Sequence, residues 1–162
     1  MNQNLNFTDC SGKADLAVIK QFQEKNKVTL PSAYVQLVTR CDAARLEKTD
    51  LVFYDDNRKR YVQVGIDVFL SWSSDYKYSK LIDYYHAPPE FFPKGLLAFG
   101  LDGGGNLFCF DYRENPLECD PQIVFWNHEL DSVNIIAKNF NSFIASLMSF
   151  EEAFEAFGRH ES

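Results

Sequence analysis

Between residues 14 and 24, Leu16, Ile19 and Phe22 recur every three positions while Asp15, Lys20, Gln21, Gln23 and Glu24 fall between them, which predicts an amphipathic helix. A polar break follows at Lys25 to Lys27. Leu30-Pro31-Ser32 opens a second helix, because a first turn needs no backbone donor from proline, and Tyr34, Leu37, Val38 and Cys41 then follow at i, i+3, i+4 and i+7. At Leu51 the period changes. Leu51 to Tyr54 and Tyr61 to Val64 are β-branched and aromatic runs around the polar Asp55 to Arg60, a hairpin pattern. Gly65 to Trp72 continues extended, and the polar, aromatic stretch Ser71 to Tyr85 ends in a short helix before Ala87-Pro88-Pro89. Leu96 to Gly100 and Asn106 to Asp111 flank Asp102-Gly-Gly-Gly105 as strand, turn and strand, and Ile123 to Trp126 is a further strand. A closing helix carries Ile136, Phe140, Phe143, Ile144 and Leu147 on one stripe, extended by Phe150, Phe154 and Phe157 among Glu151, Glu152 and Glu155 until Gly158 ends it. This order predicts the α+β class: one domain with a central antiparallel β-sheet, two N-terminal helices and a closing C-terminal helix packed on it.

Composition agrees with one core. The 162 residues are 46% hydrophobic, without an internal repeat or a linker, and at this length roughly 70% of the unfolded surface is removed from water, so neither disulfides nor a structural metal is expected to be needed. The 15 Phe, 8 Tyr and 2 Trp residues require an aromatic-rich core or an aromatic contact surface. Charge adds more. The net charge is −7, yet residues 1–80 carry 12 Lys+Arg against 10 Asp+Glu, whereas residues 81–162 carry 4 against 13. The second half therefore repels nucleic acid and anionic membranes and favours a basic partner.

The candidate chemistry is thin. Cys10, Cys41, Cys109 and Cys119 show no C-x-x-C pair and no Cys/His spacing for tetrahedral zinc, so no metal and no cofactor is expected. Met1 to Cys10 has neither a basic n-region nor an apolar h-region, and no run of 18 apolar residues occurs, so the expectation is a cytoplasmic protein with reduced thiols. Gly100 to Gly105 lacks the spacing of phosphate-binding loops and joins two strands, which reads as a hairpin turn. His128-Glu129 lacks a second histidine at position 132, which is Ser. A Cys/His or Ser/His pair, such as Cys109 and His128, is the nucleophilic arrangement to weigh, and no catalytic residue is assigned. Asp102, Asp111, Glu114, Glu118, Asp120, Glu129 and Asp131 gather around the later strands as an acidic rim, able to steer a basic protein. Trp72, Tyr76 and Tyr78, set among Ser and Asp, are candidate aromatic anchors.

Three stretches resemble the SUKH superfamily, which contains the yeast glucan-synthesis regulator and many bacterial toxin-immunity proteins. Leu30-Pro31-Ser-Ala-Tyr34-Val-Gln-Leu37 is similar to its L-P-x-x-Y-x-x-[FL]. Leu96-Leu-Ala-Phe-Gly-Leu-Asp102-Gly103-Gly104-Gly-Asn-Leu-Phe108 resembles its strand, D-G-G, strand core. Val124-Phe-Trp126-Asn-His128-Glu129 and Ile136-Ala-Lys-Asn-Phe140-Asn-Ser-Phe143-Ile resemble its W-x-H strand and its closing A-x-S-F-x-x-F-[LI] helix. Where the family has N-G-G after its second helix, this chain has Cys41-Asp42-Ala43-Ala44, so that loop is expected to differ. The resemblance implies a single domain over residues 1–162, with a core at 13–148 and a Phe-rich extension at 149–162. It also implies no catalysis and the role of an immunity protein that binds and neutralises a toxin domain, often a nuclease. The alternative is a regulatory or scaffolding domain without a toxin partner. The oligomeric state stays open.

Overall fold

The structure is a computed structural model that describes residues 5–162; Met1 to Asn4, part of the amino-terminal stretch discussed above, lie outside the described residues. A short strand β1 (Phe7–Asp9) precedes helix α1 (Leu16–Asn26), which starts where the Asp15 carboxylate accepts the Ala17 amide at 2.9 Å and stops at Lys27, φ 51°. The helix extends two residues into the expected polar break and ends within it. Its buried residues are Ile19 and Phe22, whereas Leu16 is 44% exposed and leaves the expected stripe. Helix α2 (Ser32–Arg40) follows Pro31 and buries Ala33, Tyr34, Leu37 and Val38, as the spacing requires.

Strand β1 pairs with β2 (Arg45–Leu46), a contact too short and too distant in sequence to leave a periodic signal. The pairing changes the cysteine chemistry. Backbone bonds from the Ser11 amide to the Asp42 carbonyl (2.8 Å) and from the Asp42 amide to the Gly12 carbonyl (3.0 Å) bring the Cα atoms of Cys10 and Cys41 to 5.1 Å, and the sulfurs are bonded. The expectation of four reduced thiols is therefore corrected: Cys109 and Cys119 alone are free. The Cys10–Cys41 link spans 31 residues. Closing a loop of that length restricts the unfolded chain by about 4 kcal/mol. A Cys10→Ser/Cys41→Ser variant is expected to lose that amount in urea unfolding with a steeper slope, because the unlinked chain unfolds to a more open state; an unchanged midpoint would show that the link adds nothing to stability.

A hairpin of β3 (Asp50–Asp55) and β4 (Arg60–Gly65) matches its expected place. After β5 (Val68–Phe69) and the short helix α3 (Leu81–His86) come β6 (Leu96–Leu101), β7 (Leu107–Asp111), β8 (Ile123–Asn127) and β9 (Ser132–Ala137). These form one antiparallel sheet in the order β5-β6-β7-β8-β9. Ile136, expected at the start of the closing helix, lies instead in strand β9, which pairs antiparallel with β8. Its six residues turn back along β8, and Asn139 then caps α4 (Phe140–Ser146) by accepting the Ser142 amide at 2.8 Å.

The closing helix is also two helices. Leu147 is extended, and Met148 exchanges backbone hydrogen bonds with Asp50 at 2.8 and 3.0 Å. Ser149 then opens α5 (Phe150–Glu161) with a reciprocal capping box to Glu152, and the helix continues past Gly158 rather than ending there. The β3–β4 hairpin is held between α5 and the main sheet. Phe53 faces the sheet at 5.7 Å from Phe125, while Tyr61 on the other face stacks on His160 of α5 at 3.8 Å. Of the tail rings, Phe150 and Phe154 are each 61% exposed and Phe157 is half-buried, so the first two form a surface and not more core.

The core itself is aromatic. Phe99 stacks on Phe110 at 4.5 Å and meets Phe140 and Phe143 edge-on at 5.8 and 5.7 Å, so α4 is fixed to the sheet by ring contacts. Burial pushes the Tyr34 hydroxyl well above its usual range; there it accepts the Trp72 indole N–H at 2.9 Å. In the Cys41–Ala44 loop, Ala43 takes φ 48°, the left-handed backbone that glycine adopts without cost. The buried Asp42 carboxylate beside it accepts the Trp72 amide at 3.0 Å and the Ser71 hydroxyl, tying the end of α2 to the segment after β5.

Candidate functional site

The seven carboxylates of the expected rim do not form one surface. The β6–β7 and β8–β9 turns lie at one end of the sheet, and the β7–β8 connection lies at the other. The strands between them span five residues, roughly 17 Å at 3.4 Å per residue. Asp102, Glu129 and Asp131 therefore separate from Asp111, Glu114, Glu118 and Asp120.

The first group is largely occupied with local structure. The Asp102 carboxylate accepts the Gly104 amide, the Asn106 amide and the Asn106 side-chain amide, all at 2.8 Å, and so organises the turn that places Gly105 at φ +89°. Asp131 sits at φ 47° and accepts the Trp126 indole N–H at 3.4 Å. His128 is held by Asn106, with its ring Nδ1 at 2.7 Å from Oδ1.

The second group surrounds a depression of about 600 Å³ at the β8–β9 side of the opposite end. Asp111, Glu114, Glu118 and Asp120 line it, with Arg113, Gln122 and Ile135. Arg113 does not neutralise the group, because its guanidinium is committed to Asp111 by bonds of 2.9 and 3.0 Å. Partial burial works against ionisation of Asp111, but those bonds override it and hold the carboxyl below the usual carboxylate range. The other three have no ion-pair partner among the described residues. The Glu118 carboxylate accepts the Asp120 amide at 3.0 Å, and the Asp120 carboxylate accepts the Asn139 side-chain amide at 3.2 Å, so two of them are oriented by neutral donors. Sequence reasoning missed Ile135, which is 59% exposed on the edge strand beside the acids. It was hidden by the reading of Ile136 as helical, since strand alternation would have turned one of the two neighbours outward.

The aromatic candidates divide as well. Trp72 is corrected from anchor to core: it is 9% exposed, its indole is bonded to Tyr34, and its ring meets Phe22 edge-on at 5.2 Å. One edge of it lines a shallow apolar groove between α1 and α3, with Val18, Phe22 and Ile82. Tyr78 is 76% exposed and Tyr76 half-buried, their rings 5.6 Å apart. They follow β5, at the opposite edge of the sheet from the depression.

The Cys109 and His128 pair does not assemble. Cys109 is buried in mid-strand opposite Val124, and His128 is four residues further along, roughly 13 Å at strand spacing. Burial also pushes the Cys109 thiol up, away from the thiolate a nucleophile needs. Among the described residues no three His, Cys, Asp or Glu side chains are grouped to hold a metal ion. No helix among them is long and apolar enough to cross a membrane.

The geometry leaves, on an α+β scaffold, a depression with one committed ion pair and three carboxylates that have no cationic partner among the described residues. No curated protein matches the chain. The model of the SMI1 / KNR4 family (SUKH-1) matches residues 13–146, which include α1, the central sheet and α4, and the chain belongs to that family.

Proposed function

We propose that the protein is an immunity protein that binds a cognate toxin domain and blocks it without catalysis, acting in the cytoplasm. The partner is a basic domain of the nuclease type, and the docking surface is the depression lined by Asp111, Glu114, Glu118 and Asp120, with Ile135 as its apolar contact. The observation that carries the reading is the surplus of carboxylates there: three acids without a cation beside one committed pair. A domain that handles nucleic acid presents Lys and Arg to phosphates, and an acidic surface of complementary shape competes for that face. Family membership supports the same reading, since immunity proteins are part of what the resemblance implies.

Tyr76 and Tyr78 extend the surface only if the partner reaches across the sheet end, and Asp102, Glu129 and Asp131 serve its electrostatic steering rather than its contact. The Cys10–Cys41 bond meets a reducing pool in the cytoplasm, where the backbone bonds between the segments around Cys10 and Asp42 remain.

The experiment is co-expression with the toxin-like product of the adjacent reading frame. Rescue of growth and a co-purifying complex of equal stoichiometry are expected. Absence of both rejects the immunity role and leaves the regulatory or scaffolding domain as the reading of this fold.

A further inference from the structure

Helix α5 lies beyond the family-matched segment and carries a feature that its own chain does not explain. Gly158 is in regular helix, and a Cβ there would meet nothing within 4 Å among the described residues, so neither backbone conformation nor packing against them calls for glycine. A glycine in an exposed helix costs about 1 kcal/mol relative to alanine. On the same side of the helix, at i−4 and i−8, stand Phe154 and Phe150, each 61% exposed and stacked on one another at 6.1 Å.

We propose that α5 is a self-association surface, and that its occupant is α5 of a second copy, antiparallel about a two-fold axis through Phe154. The register follows from the spacing. Phe150 and Gly158 lie four residues to either side of Phe154, so in an antiparallel pair centred there each Phe150 ring faces the gap left by Gly158 of the partner subunit. The two Phe154 rings meet at the axis. Charge agrees with this direction. Glu151 in the first turn lies beside Arg159 of the partner subunit in the last, twice by symmetry, whereas a parallel pair would set acid against acid. Glu152 takes no part, since it caps its own helix and pairs with Lys48 at 3.4 Å. Glu155 meets its own symmetry mate near the axis and opposes the contact.

One pair of twelve-residue helices, each about 18 Å long, covers less than a stable dimer needs, so the association is weak, with a dissociation constant on the order of 10–100 μM. This surface is separate from the acidic depression, and the dimer is expected whether or not a toxin partner exists.

The test is sedimentation velocity on the full chain from about 1 to 500 μM, with circular dichroism confirming the fold of each variant. The wild type is expected to pass from monomer to dimer. Gly158→Leu is the discriminating variant: it adds apolar surface and helix propensity, so indiscriminate association would strengthen, whereas the registered dimer weakens at least tenfold. Phe154→Asp abolishes the dimer, and Glu155→Gln tightens it. Glu151→Arg and Arg159→Glu each weaken it, and the two together restore it. A monomer at every concentration overturns the proposal, and so does a dimer that Gly158→Leu strengthens or that the double charge exchange fails to restore.

Discussion

Phe99→Ala is expected to lower unfolding stability by about 4 kcal/mol and the melting temperature by roughly 10–15 °C, the larger end of what a buried ring deletion costs in a chain of this size. Phe99 is fully buried in β6, stacked on Phe110 and in edge contact with Phe140 and Phe143. Removing it takes away its own burial and leaves a gap between sheet and helix that rigid neighbouring rings fill poorly. Phe154→Ala, a ring of the same size on the surface of α5, should change stability by less than about 1 kcal/mol. Equal effects at the two sites, measured by urea unfolding, would contradict the division of the phenylalanines into core and surface.

That division was half legible in the sequence. Tyr34, Leu37 and Val38 fall on one helical face, and the structure buries all three. Phe140, Phe143 and Ile144 also keep their stripe. The stripe was extended too far in both directions because apolar spacing of three and four continues through Ile136 and Phe150. What stops the helix is not periodicity but pairing: β9 finds a free edge on β8, and Met148 finds Asp50. The caps Asn139 and Ser149 were present as local signals of both helix starts. The Cys10–Cys41 link had no local signal, since its two cysteines lie 31 residues apart in the chain and meet only beside the pairing of β1 with β2.

The acidic surface was legible as composition and not as place. Counting carboxylates in the second half located the charge in the later loops, but strand direction decides which end of the sheet each loop occupies. Asp102 shows the difference. Its neighbours Gly104 and Asn106 consume its acceptors, so a residue that adds to the charge count does its work inside a turn. Trp72 is the aromatic counterpart: a polar neighbourhood suggested exposure, whereas a hydrogen bond to Tyr34 pays for burying its indole.

A Glu114→Lys/Glu118→Lys/Asp120→Lys variant is expected to lose about 10³-fold in affinity for the toxin domain, equivalent to about 4 kcal/mol. Like charges then face each other at the depression, while Asp111 and Arg113 keep their pair. Part of the loss falls on the association rate and is sensitive to salt. The same exchange at Asp102, Glu129 and Asp131 is expected to reduce affinity by less than tenfold if folding survives. Titration calorimetry at two salt concentrations checks both variants. An equal loss from the two sets would place the contact elsewhere.

Amide hydrogen exchange of the complex with the co-encoded toxin domain tests the central claim most directly. Residues 112–122 and the outer edge of β9 around Ile135 are expected to gain protection, with α1 and α3 unchanged. Protection confined to the groove between α1 and α3, with 112–122 exchanging as in the free protein, would contradict the assignment of the acidic depression as the docking surface.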